Sequence, residues 1–227
     1  MTTRGVVALG DSITNGRGEP ALGVPMQSWA QWLSEALDLP FMKLARDGAR
    51  SADVLAELVP RLAGPYDVGC LYVGVNDARS LDWDAAAFEH DLRAIAAALA
   101  AASARMLVCT LPTDLGRPRA DPKPRLANAI VRAAAAEHGA TVVALDDLAG
   151  RRWLLPDAVH PTAVGELEIA DRAARALGAP RLPSTLVEVY DSRRARARFQ
   201  ARWGVMLGRD LRRRATERVR HRLGAGP

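Results

Sequence analysis

The sequence has little of what marks a secreted, membrane-spanning or metal-built protein. Its two cysteines, Cys70 and Cys109, both lie inside apolar runs, and no spacing suits a metal ion or a disulfide framework. They read as core thiols suited to a reducing compartment. No apolar segment reaches the ~20 residues that a bilayer crossing needs. The N-terminus enters its first apolar run at about Gly5, which leaves no room for a charged region, an apolar stretch and a cleavage site. A soluble, cytoplasmic protein, at most peripheral to a membrane, is the expectation.

What is present is enough for one sizeable core: 227 residues, 49% of them hydrophobic. The net charge of +5 hides an asymmetry. Residues 184–227 hold twelve arginines against Glu188, Asp191, Asp210 and Glu217, a balance of +8, whereas residues 1–183 carry −3. The division expected is therefore 1–183 as one globular domain and 184–227 as an arginine-rich helical extension. Any basic partner surface should lie on that extension, away from an active site.

The chain is organised around Gly5-Val6-Val7-Ala8-Leu9-Gly10-Asp11-Ser12, an apolar, β-branched run that stops abruptly in small and polar residues. It predicts a buried strand that delivers Ser12 to a sharp turn. A serine there can be a nucleophile, a helix cap or part of a phosphate-cradling turn, and the stretch alone leaves these open. The same pattern recurs. A strand over 41–45 runs into Arg46-Asp47-Gly48-Ala49, and one over 67–73 into Gly74-Val75-Asn76-Asp77. Further strands are expected over 105–111 and 140–145. Between them, helices are predicted over 27–37, 51–62 with Ser51 as N-cap and a break near Pro60, 84–102, 125–138 and 162–177. Alternating strands and helices imply parallel βαβ units. The expected fold is α/β: a three-layer α/β/α, flavodoxin-like sandwich on a five-stranded parallel sheet, with a basic C-terminal helical tail. All the polar turns then fall on one sheet edge, where ligands bind in open α/β sheets.

That edge collects a hydroxyl (Ser12), hydrogen-bond donors (the Gly48 backbone, the Asn76 side chain) and, from Asp157-Ala158-Val159-His160, a carboxylate with an imidazole. Acyl transfer needs this set. Serine requires a general base to take its proton, histidine titrates in the right range, and a carboxylate can hold the ring's other nitrogen protonated and aimed. Amides of Ser12 and Gly48, with the Asn76 side chain, would then form an oxyanion hole. Taken singly, each piece also reads as an ordinary turn or cap. His90 and His138 fall on predicted helices and His221 in the tail, where packing or solvated roles are usual. Arg79, Trp83, Leu111, Pro112 and the loop after it fall near the edge as candidates to line a pocket, although tryptophan in a small domain more often packs.

Read together, these blocks resemble the SGNH hydrolases, the GDSL esterase/lipase superfamily, over about residues 5–177. Gly10-Asp11-Ser12-Ile13, Gly48, Gly74-Val75-Asn76-Asp77 and Asp157-Ala158-Val159-His160 match four of its blocks in order. The resemblance implies Ser12 as nucleophile, Gly48 and Asn76 as oxyanion donors, His160 as base and Asp157 as its orienting partner. It implies a carboxylic-ester hydrolase, esterase or lipase, acting through an acyl-enzyme, with no metal or organic cofactor. One departure is Lys43, where an asparagine is common five residues before the second-block glycine. Gly-x-Ser-x-Gly is missing around Ser12, which speaks against the α/β-hydrolase nucleophile elbow.

The substrate expected is a small acyl ester, short or lipid-like. A thioesterase or acyltransferase would use the same triad, and a non-catalytic binding module would work through the tail instead. In that tail Phe199, Trp203, Met206, Leu207 and Leu211 recur at nearly helical spacing, weakened by Gly204 and Gly208. Packing on the catalytic domain or on a second copy is the first reading, an anionic membrane surface the second, and nucleic acid the least favoured.

Overall fold

The computed structural model describes residues 4–222, with side chains up to residue 216. Five parallel strands, β1 (Val6–Gly10), β2 (Phe41–Ala45), β3 (Tyr66–Tyr72), β4 (Ser103–Cys109) and β5 (Thr141–Val143), form one sheet in the order β2-β1-β3-β4-β5. This is the flavodoxin-like order. β1 is buried along its whole length, as an inner strand covered on both faces must be. Edge strand β2 alternates less cleanly and leaves Met42 exposed.

The register explains why the site assembles. Gly10 pairs with Ala45 on one side and Tyr72 on the other, so β1, β2 and β3 end at one level. The chain leaves each of them into a polar turn within the next few residues. β5 is shorter than the sequence suggests because the Leu145 N–H turns to the Thr110 hydroxyl, 2.7 Å away, and leaves the ladder.

Helices α1 (Ser12–Asn15), α2 (Trp29–Ala36), α3 (Ser51–Asp53), α4 (Val75–Arg79), α5 (Ala85–Ala102), α6 (Lys123–Glu137) and α7 (Ala163–Ala176) make up the connections. After α3 the backbone widens into a π-turn over Val54–Leu58 and tightens into a 3-10 turn over Val59–Arg61. Pro60 is the cause. It has no N–H, and its ring clashes with the carbonyl four residues earlier, so regular α-helix cannot continue. The alanine-rich α5 buries Phe88, Leu92, Ile95 and Leu99, a stripe spaced i, i+4, i+7 and i+11 along one helix face.

The basic tail forms one helix, α8 (Arg193–Arg222), which runs through both glycines. Its half-buried positions include Ala195, Phe199, Trp203, Met206, Asp210 and Arg214, one helix face by their spacing of three and four. That face lies on the body of the same chain. Trp203 Nε1 donates to the Leu154 carbonyl at 3.1 Å, Arg151 stacks 4.7 Å over the Trp203 ring, and Arg202 pairs with Glu19 at 2.6 Å. Among the described residues no helix is long and apolar enough to cross a membrane.

Candidate active site

The end of β1 is tightly constrained. A side chain at Gly10 would run into the Thr14 hydroxyl and the Tyr72 carbonyl, so only glycine lets the strand turn here. Asp11 caps the next turn, its Oδ1 accepting the Ile13 N–H at 3.0 Å. Ser12 is therefore not the cap. It is the first residue of α1, nearly buried, and its Oγ lies 3.0 Å from His160 Nε2.

His160 is held from behind. Its Nδ1 lies 2.6 Å from Asp157 Oδ2, while Asp157 Oδ1 accepts the N–H groups of Val159 (2.9 Å) and His160 (3.1 Å). One carboxylate thus shapes the turn and aims the ring, with Ala158 between them at φ 53°. Burial alone would raise the Asp157 carboxyl. Hydrogen bonds from the His160 ring, the His160 charge and the two backbone amides together hold it below the ordinary carboxylate range. An ionised Asp157 only accepts, so in the neutral ring the proton sits on Nδ1 and Nε2 is free to accept from Ser12. The loop is clamped at its far end, where Thr162 Oγ1 caps α7 through the Gly165 N–H and donates to the Arg152 carbonyl.

Opposite lies the second turn. Gly48 adopts φ 77°, and a Cβ there would meet nothing within 4 Å; conformation, not crowding, asks for glycine. Its N–H has no acceptor among the described residues, and Ser12, at the start of a helix, also has an N–H without an intrahelical partner. Asn76 spends one amide hydrogen on the Ala49 carbonyl at 2.9 Å and keeps the other. Next to it Asp77 accepts both the N–H (3.0 Å) and the hydroxyl (2.7 Å) of Ser51. Ser51 is thus a tie between this turn and α4 rather than the cap of α3; Arg50 occupies the cap position. Where Lys43 replaces the usual asparagine, support comes from elsewhere: Asn15 (2.8 Å) and Arg17 (3.4 Å) donate to Asp47, and Lys43 Nζ holds the Asn15 carbonyl at 3.0 Å.

Ser12, Gly48, Asn76, Asp157 and His160 line one cavity of about 830 Å³. Asp11 lies fully buried beneath it. Desolvation raises its carboxyl to about 7, against the lowering effects of the Ile13 N–H and His160. No group of three or more His, Cys, Asp or Glu side chains is arranged to hold a metal ion among the described residues.

The profile of the GDSL-like lipase/acylhydrolase family matches residues 8–166. The chain belongs to this family. It is accordingly a hydrolase acting on esters. No curated protein matches the chain in sequence. Among solved structures it is similar to LAE5, an alpha/beta hydrolase enzyme from the metagenome of Lake Arreo, at 21% identity and TM-score 0.62, over 79% of this chain and 97% of that one. It is also similar to a variant of Axe2, an acetyl xylan esterase from Geobacillus stearothermophilus, at 19% identity and TM-score 0.61, over 78% and 95%. At such identities the likeness is one of fold.

In this GDSL-like hydrolase two sequence-based expectations need correction. Trp83, Leu111 and Pro112 do not line the cavity: Leu111 and Pro112 are buried and Trp83 packs on Phe88, whereas Arg79 does reach it, as do Arg117 and Pro118 from the following loop. Nor is the basic surface remote from the site, because Arg213 and Arg214 of α8 are part of the cavity wall. Their sequence spacing said they belonged to a helix, but not what that helix would cover. His90 lies on α5 and His138 at the end of α6, both away from the cavity, and the side chain of His221 lies outside the described residues.

Proposed function

We propose that the protein hydrolyses small carboxylic esters through Ser12, His160 and Asp157. The continuous line of hydrogen bonds from Ser12 Oγ to His160 to Asp157, 3.0 and 2.6 Å long, carries this reading. His160 Nε2 takes the hydroxyl proton as Ser12 Oγ attacks the carbonyl carbon. The carbonyl oxygen gains the negative charge and is met by the amides of Ser12 and Gly48 and the remaining N–H of Asn76. Collapse breaks the bond to the alcohol oxygen, which leaves with the proton from His160. Water, deprotonated at the same nitrogen, then attacks the acyl-enzyme and releases the acid and Ser12.

A short acyl group suits the cavity, whose apolar side chains are few, chiefly Pro118 and Leu155. The test is hydrolysis of p-nitrophenyl acetate, butyrate and octanoate by the wild type and Ser12→Ala. Turnover is expected to fall by several orders of magnitude in the variant, as much as ~10⁶-fold, and to be best on the shortest ester. Equal rates would remove Ser12 as nucleophile.

A further inference from the structure

The cavity at Ser12 is more cationic than cleavage of a neutral ester requires. Arg17, Arg79, Arg117, Arg213 and Arg214 all line it, and they come from four separate segments of the chain. The carboxylates nearby are engaged or shared. Glu19 is taken by Arg202 at 2.6 Å and Asp157 by His160. Asp114 serves Arg117 and Arg119 together, each at 2.8 Å, and Arg79 has no carboxylate partner among the described residues. Arg214 is the most enclosed: its side chain is 19% exposed, it contacts Asp210, and it ends the half-buried face by which α8 lies on the body. Arg214 lines the cavity from that face, with its guanidinium held against Asp210. Each guanidinium presents a planar fork of donors suited to oxyanions, and several such forks around one space fit a tetrahedral anion with oxygens on several sides.

We propose that the substrate is a short-chain acyl ester of a small phosphorylated alcohol, its phosphate held by Arg79, Arg117 and the α8 residue Arg214. The proposal rests on the esterase reading above and gives α8 a place in substrate recognition. A long-chain phospholipid fits less well, because Pro118 and Leu155 are the only apolar side chains among the described residues that line the cavity.

Two measurements on the full chain test it. Calorimetry with glycerol 3-phosphate, and with glycerol as control, reads the phosphate site independently of catalysis. The ratio of kcat/KM for 1-acetylglycerol 3-phosphate to that for 1-acetylglycerol reads it during turnover. Glycerol 3-phosphate is expected to bind and glycerol not, with a ratio well above one. Arg79→Gln and Arg214→Gln should each lower both the phosphate affinity and the ratio by roughly 10- to 100-fold, the effect of losing a charge-assisted contact. Arg209→Gln removes the same charge from an exposed position of α8 and should leave the ratio where it was. A ratio near one, or wild-type phosphate affinity in Arg214→Gln, overturns the proposal. Hydrolysis of the neutral ester without phosphate binding defeats this inference alone, whereas phosphate binding without any Ser12-dependent hydrolysis upholds the site and defeats the esterase reading.

Discussion

Asp157 uses both carboxylate oxygens at once, one on two backbone amides and one on the His160 ring. An amide in its place must turn an NH2 group either toward those amides or toward Nδ1–H, and neither pairing is a hydrogen bond. Asp157→Asn is therefore expected to lower kcat on p-nitrophenyl acetate by ~10⁴-fold with a native circular dichroism spectrum, a loss of the size seen when the base is held in the wrong tautomer. Activity within a few-fold of wild type would show that the ring is aimed by something else. Asp11 offers a prediction of opposite character. Its folded-state carboxyl is raised from 3.8 to about 7, so the stability linked to it is full below about pH 3.8 and is lost as pH rises through 7. Asn cannot titrate. Between pH 4 and pH 8 the stability of Asp11→Asn relative to wild type should therefore improve by an amount on the order of 4 kcal/mol, read from urea unfolding midpoints. A difference that does not change with pH would show that Asp11 is ionised in the fold like an ordinary carboxylate. At this scale the sequence was informative about Ser12, Gly48, Asn76, Asp157 and His160 because each ends a recognisable strand or begins a turn. It was silent about Arg17 and placed Arg117 only as part of the loop after Pro112, because the course of these loops depends on tertiary contacts.

Among the elements, α8 departs most from local expectation. Gly204 and Gly208 each weaken a helix by ~1 kcal/mol relative to alanine, yet the helix continues through both, held by the contacts of Trp203 and Arg202 with the body. A Cβ at either glycine would meet nothing within 4 Å. Gly204→Ala and Gly208→Ala should therefore each stabilise α8 and slow amide exchange along it roughly five-fold, measured by hydrogen exchange with mass spectrometry. Unchanged or faster exchange would mean that the helix does not pass through these positions in solution. The segment after α3 shows a local signal that was read in part: the chain tightens into a 3-10 turn at Pro60 as expected, but regular α-helix already ends at Asp53, where the π-turn begins. β5 was overestimated because the Thr110 side chain substitutes for a ladder bond, which strand periodicity does not reveal.

Over the whole molecule, the sheet order and the site at its edge follow from patterns that repeat along the chain, strand then polar turn, and these are legible in one dimension. The charge distribution is not. The +8 of the tail and the −3 of the rest suggested a separate basic surface, but α8 folds back and brings Arg213 and Arg214 to the cavity of Ser12. Only the three-dimensional path of the helix unites the two ends of the sequence. The molecule is then one catalytic body whose terminal helix forms part of the cavity wall.

The most direct test of the central claim is to trap the acyl-enzyme. The full chain is mixed with p-nitrophenyl acetate, quenched in acid within the first turnovers and digested, and the peptides are weighed by mass spectrometry. One added acetyl group is expected, on the peptide containing Ser12, accumulating in Asp157→Asn more slowly than in wild type and never in Ser12→Ala. Hydrolysis of the ester with acetyl on another residue, or equal labelling in Ser12→Ala, would contradict it.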